Sequence, residues 1–114
     1  MHSTICTRLL AAVVLVAGVT WGTAAAEARD GKAIAQKNAC FACHGIGASE
    51  PKKMGPNYGV VAAKYAKDGK AIAKLATKIR KGGAGSFGSI PMPGYPQISE
   101  ADAKAIAQWV MQQK

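Results

Sequence analysis

Cys40-Phe41-Ala42-Cys43-His44 places two thiols three positions apart and an imidazole directly after the second. On one helical turn, residues three apart project to the same side. Both sulfurs can then add to the two vinyl groups on one porphyrin edge while His44 turns its ring beneath the iron. C-x-x-C-H is the attachment pattern of c-type haem, so the chemistry to expect is that of a covalently held haem iron.

The same residues fit other uses less well. A zinc site needs four ligands, and beyond residue 28 the chain offers two cysteines and one histidine, so a carboxylate from outside the motif would be required. A thioredoxin-like dithiol wants a βαβ setting, and no segment alternates apolar and polar residues for long enough to make a convincing strand. Chance can also produce the pattern, but the thiols have no other evident role in so small a chain.

A haem iron with one protein ligand and an open face binds gases or peroxide, whereas two strong ligands favour electron transfer. His44 is the only histidine after position 2, which rules out bis-histidine ligation within the mature chain. The candidates for the second ligand are Met54, Met92, Met111 and a lysine. Met111 fits the packing stripe of a helix, and Met54 precedes the Gly55-Pro56 turn. Met92 lies between Pro91 and Pro93, whose fixed φ angles leave the thioether less entropy to lose on binding. That flanking favours Met92 as the ligand opposite His44. A peroxidase would want a distal acid or base, and no second histidine is there to serve.

These groups need elements to position them. Asp30 can cap a helix through GKAIAQKNAC, and Asn57 can cap another through YGVVAAKYA. GKAIAKLATKIRK puts Ile72, Leu75, Ala76 and Ile79 on one stripe and stops at Gly82-Gly83. Ser99 and Asp102 resemble a capping box, opening a helix in which Ala103, Ile106, Ala107 and Val110 recur at helical spacing. The fold class is all-α. Between the last two helices lie seventeen residues, GGAGSFGSIPMPGYPQI, with five glycines and three prolines. A connection this long in a small domain is usually functional. It lacks G-K-[ST] and follows a helix, so it is no phosphate loop.

The chain has 114 residues, is 49% hydrophobic and carries a net charge of +9. Residues 1–28 read as a secretory signal: Arg8, an apolar run from Leu9 to Val19, then small residues permitting cleavage after Ala26 or Ala28. The run is shorter than a bilayer span, so no membrane span is expected in the mature protein. Residues 29–114 form one domain. Removal of the signal takes away Cys6, leaving Cys40 and Cys43 with no disulfide framework. With the cut after Ala28, Arg8 and Glu27 leave together and the +9 charge persists. Export and the scattered lysines argue against nucleic acid; acidic protein partners are the expectation.

CFACH, MGPNYGVVAAKYA, IPMPG and a final helix containing AIAQWV occur in an order and spacing that together resemble the short bacterial class I cytochromes c, the c-551-like group. The resemblance covers essentially all of residues 29–114. It implies four to five short helices around one covalent haem c, with the first and last helices crossing. It further implies thioethers at Cys40 and Cys43, axial iron ligands His44 and Met92, and a Pro56 carbonyl accepting a hydrogen bond from His44. Trp109 matches the group's helix tryptophan and is expected in the core. Where the group commonly has a tryptophan donating to a haem propionate, this chain has Phe87, which packs but cannot donate. Ile79 and Phe87 are therefore expected against the haem, with Lys78 or backbone groups meeting the propionate. After Met92 the group's second proline and asparagine are replaced by Gly94-Tyr95-Pro96.

The resulting expectation is a monomeric periplasmic electron carrier of a respiratory chain, not an enzyme, with Lys52, Lys53, Lys78 and Lys81 as candidates to steer acidic redox partners.

Overall fold

Asp30 begins the first helix: its carboxylate accepts the Ala33 N–H at 3.1 Å, and α1 runs Gly31–Lys37. The computed structural model describes residues 28–114. The segment expected to be a secretory signal, with Cys6 and Ala26, lies outside the described residues apart from Ala28.

The single helix expected through Cys40 is interrupted. Asn38 is the C-cap of α1: its backbone N–H closes the last helical bond on the Ile34 carbonyl at 3.2 Å, and its side-chain amide donates to the same carbonyl at 2.9 Å. Ala39 then adopts a left-handed φ of 58°. The chain restarts as a 3-10 turn over Cys40–Ala42. Three further helices follow: α2 (Tyr58–Tyr65), α3 (Ala71–Lys81) and α4 (Glu100–Val110). Among the described residues the extended structure consists of one isolated antiparallel bridge, Gly83 to Met92. No described helix is long and apolar enough to cross a membrane.

The caps at the two ends of the domain form as their residue types predict, and the middle one does not. Ser99 Oγ accepts the Asp102 N–H at 3.1 Å, while Asp102 turns its own carboxylate to Arg29 instead of closing a reciprocal box. Asn57 occupies the N-cap position of α2 without any side-chain cap bond. Its amide is drawn to the Glu50 carbonyl at 2.7 Å.

Helical periodicity sets the core. Leu75, Ala76 and Ile79 of α3 are buried together with Ala103, Ile106, Ala107 and Val110 of α4, while Ile72 sits at the edge of that stripe. α1 crosses α4 at Gly31, where an ideal Cβ would lie 2.2 Å from the Ala105 carbonyl oxygen. Only a glycine lets the backbones meet so closely. Trp109 is half-buried rather than enclosed: it lies at the margin of the core, edge-on to Tyr58 at 5.3 Å and tilted to Phe41 at 5.7 Å.

Candidate haem site

The 3-10 turn arranges the two thiols. With three residues per turn, positions i and i+3 eclipse, so Cys40 and the capping Cys43 share one side of the turn. The N–H groups of Cys43 and His44 both donate to the Cys40 carbonyl, at 3.2 and 3.1 Å. Both thiols are free, Cys40 buried and Cys43 half-buried. Burial pushes the Cys40 thiol up, favouring its neutral form.

His44 is held by three residues of the segment 55–58. Its Nδ1 lies 2.7 Å from the Pro56 carbonyl oxygen. A carbonyl can only accept, so Nδ1 carries a proton, and in the neutral ring that tautomer leaves the lone pair on Nε2. The Tyr58 ring stacks on the imidazole at 5.0 Å and 16°. A Cβ on Gly55 would fall 2.6 Å from His44 Cε1, and the Gly55 N–H donates to the Cys43 carbonyl at 2.8 Å. Tyr58 is itself buried, and burial, followed by its neighbour Cys40, pushes its hydroxyl far up. It stays a neutral phenol at any ordinary pH.

Cys40, His44, Pro56, Lys78, Ile79, Phe87 and Met92 all line one cavity of about 530 Å³. Cys43 is not in its wall. Core residues Val61, Leu75, Ile106 and Val110 contribute to the lining, so the helical core opens directly into the space.

Met92 is fixed by more than its flanking prolines. Its N–H donates to the Gly83 carbonyl at 3.0 Å, and the Gly83 N–H returns to the Met92 carbonyl at 2.9 Å. Gly82, with φ 70° and ψ −157°, occupies a region essentially closed to other residues. An ideal Cβ there would lie 2.4 Å from the Met92 carbonyl oxygen. Met54 also reaches the cavity wall but is 66% exposed. Met111 lies at the end of α4 outside the wall.

Phe87 lines the cavity yet is 38% exposed, packed against Tyr65 at 6.4 Å and beneath Lys64 Nζ at 4.4 Å. Lys64 also donates to the Ser86 carbonyl. Of the four candidate steering lysines, Lys52 and Lys78 border the cavity. Lys53 is engaged with the Phe41 carbonyl at 2.7 Å, and Lys81 is exposed away from the wall.

Three features escape the sequence reading: the Tyr58 stack, the Gly55 contact and the Gly83 bridge. The Gly55-Pro56 pair directly before an aromatic helix start was the available signal for the first two. Nothing in the local sequence pairs Gly83 with Met92.

The residues present suit a haem. The cavity falls within the size range of sites for cofactors and other small molecules, and is lined mainly by apolar groups as such sites are. Nucleophilic sulfur and a neutral imidazole with Nε2 free stand at it or next to it. Among the described residues no group of three or more His, Cys, Asp or Glu side chains is placed to hold a metal ion directly, which leaves the zinc reading without its remaining ligands.

A family model described as Cytochrome c matches residues 28–114. The chain is 44% identical over 104 residues to cytochrome c-552 of Hydrogenobacter thermophilus, covering 90% of this chain and 93% of that one. It is 42% identical over 84 residues to cytochrome c-551 of Azotobacter vinelandii, covering 74% and 98% respectively. In three dimensions it is similar to the crystal structure of wild-type Nitrosomonas europaea cytochrome c552, with a TM-score of 0.67, 44% identity and coverage of 73% of this chain and 99% of that one.

Proposed function

The chain belongs to the cytochrome c family, with one covalently bound haem c, and from that premise we propose a periplasmic electron carrier of a respiratory chain with His/Met axial ligation. Cys40 and Cys43 are the thioether positions, and His44 and Met92 are the axial ligands.

The observation that carries this reading is the presentation of two neutral soft or borderline donors at one cavity. His44 offers Nε2 because Pro56 occupies Nδ1, and Met92 is held by its two-way bridge to Gly83. When bound, the haem iron supplies a one-electron couple, and a thioether ligand in an apolar site favours its less charged ferrous state.

The remaining residues act by lining and steering. Ile79, Leu75 and Val61 give the cavity wall its apolar surface. Phe87 covers one side of it, and Lys78 is placed to meet an acidic group there. Lys52 and Lys78, within a net charge of +9, favour acidic redox partners through long-range attraction. The mature protein is a monomer, exported by residues 1–28 and cut after Ala26 or Ala28.

Purification from a periplasmic extract tests the reading. It predicts the mass of a chain cut at one of those sites plus one haem, and a reversible one-electron redox titration. Retention in the cytoplasm, or an irreversible response, contradicts it.

A further inference from the structure

We propose that Asn57 is a positioning residue for His44, acting through the Pro56 carbonyl to hold the imidazole and to keep the reduction potential down. The inference rests on His44 being an axial ligand, as proposed above.

Asn57 is 4% exposed and does not cap the helix it precedes. Its Nδ2 donates to the Glu50 carbonyl at 2.7 Å, and its Oδ1 is buried with no partner. An orphaned amide oxygen is unfavourable, so a position that merely packed would be better filled by an apolar side chain. Gly45 is fitted to it: a Cβ there would lie 2.5 Å from Asn57 Oδ1.

What the amide does is visible in the surrounding bonds. Residues 45–50 follow directly on His44, and the turn at residues 55–58 holds the His44 ring. The Tyr58 N–H joins the two segments at the Gly45 carbonyl, and the Gly59 N–H at the Ile46 carbonyl, both at 2.9 Å. The Glu50 carboxylate ties the first segment to itself through the Ile46 and Gly47 N–H groups, at 3.1 and 3.0 Å. Asn57 Nδ2 is the side-chain bond that fastens the far end of that segment to the residue after Pro56. The Pro56 carbonyl shares one rigid peptide plane with the Asn57 N–H, so what holds Asn57 in place also orients that carbonyl.

A well-placed carbonyl on Nδ1–H raises the basicity of the ligating imidazole. That favours the more charged ferric state. Loosening the carbonyl should therefore free the Nδ1 proton and raise the potential.

The test uses two holoprotein variants: Asn57→Leu, which keeps the volume and removes the amide, and Asn57→Asp, which keeps Oδ1 and lacks the donor. The first readout is exchange of the His44 Nδ1 proton in the ferrous protein, referenced to the Ile106 and Ala107 amide protons of α4. The second is the reduction potential. In both variants the Nδ1 proton should exchange about tenfold faster, the loss of one net hydrogen bond, with the α4 amides unchanged. The potential of Asn57→Leu should rise. Unchanged exchange, or acceleration that merely follows the α4 amides, overturns the proposal. If Asn57→Leu does not retain haem, exchange in Asn57→Asp decides. The upfield ring-current shift of the His44 carbon-bound protons reads ligation separately. Its absence in the unsubstituted protein overturns the axial assignment, and this proposal with it.

Discussion

Gly83 and Met92 exchange two backbone hydrogen bonds, at 2.9 and 3.0 Å, across a loop of eight residues. Gly82 makes the close approach possible, its φ of 70° bringing the α3 terminus against the Met92 carbonyl. Gly82→Ala must either leave that conformation or collide with Met92. A loss of about 1–3 kcal/mol is expected from the backbone alone. Denaturant unfolding of the holoprotein should show it, together with easier displacement of Met92 by added imidazole. Unchanged imidazole affinity would mean that Met92 is held by its prolines without the bridge.

Gly31 carries the helix crossing. Gly31→Ala places a methyl 2.2 Å from the Ala105 carbonyl oxygen and 2.8 Å from Trp109 Cβ, both parts of α4 that cannot yield cheaply. Overpacking of this kind costs roughly 1–3 kcal/mol. The unfolding midpoint should fall while the reduction potential stays near that of the parent, because the added methyl meets α4 and neither His44 nor Met92.

The parts legible in the sequence were those set by local chemistry. The apolar stripes of α3 and α4 need only the helical period, and Asp30 and Ser99 need only a hydroxyl or carboxylate within reach of the next turn. C-x-x-C-H states its own geometry. What could not be read depends on tertiary partners. Asn57 is a good cap by type, but the Glu50 carbonyl competes for it. The helix expected through Cys40 stops at the Asn38 C-cap, where Ala39 turns left-handed, a conformation an alanine does not announce. The Gly31 crossing requires a neighbour seventy-odd residues away.

Glu50 provides a pH dependence with a definite sign. The Gly47 and Ile46 N–H groups hold its carboxyl below the usual range. A carboxylate depressed in the folded state contributes stability that is present above the unfolded value and lost as pH falls through the folded one. Glu50→Gln should remove that part of the acid limb. Equilibrium unfolding at pH 7 and near pH 3 should give a larger difference for the parent than for the variant. Equal differences would show that these bonds do not survive in solution, as happens for many exposed pairs.

Removal of the haem should be costly to the fold. The cavity of about 530 Å³ opens onto Val61, Leu75, Ile106 and Val110, so an apoprotein exposes the same side chains that form its core. A double variant, Cys40→Ala with Cys43→Ala, should show little cooperative unfolding by circular dichroism, since a bound group that favours the native state is gone. A sharp transition would contradict this.

The central claim is that His44 and Met92 together close the iron to outside ligands, and the absorption spectrum of the purified mature protein tests it most directly. The ferric form should show the weak far-red sulfur-to-iron band, and the ferrous form a low-spin c-type spectrum that does not respond to carbon monoxide. A high-spin spectrum that shifts when carbon monoxide is added would show that Met92 does not hold the iron, and would favour gas binding or peroxidase chemistry over electron carriage.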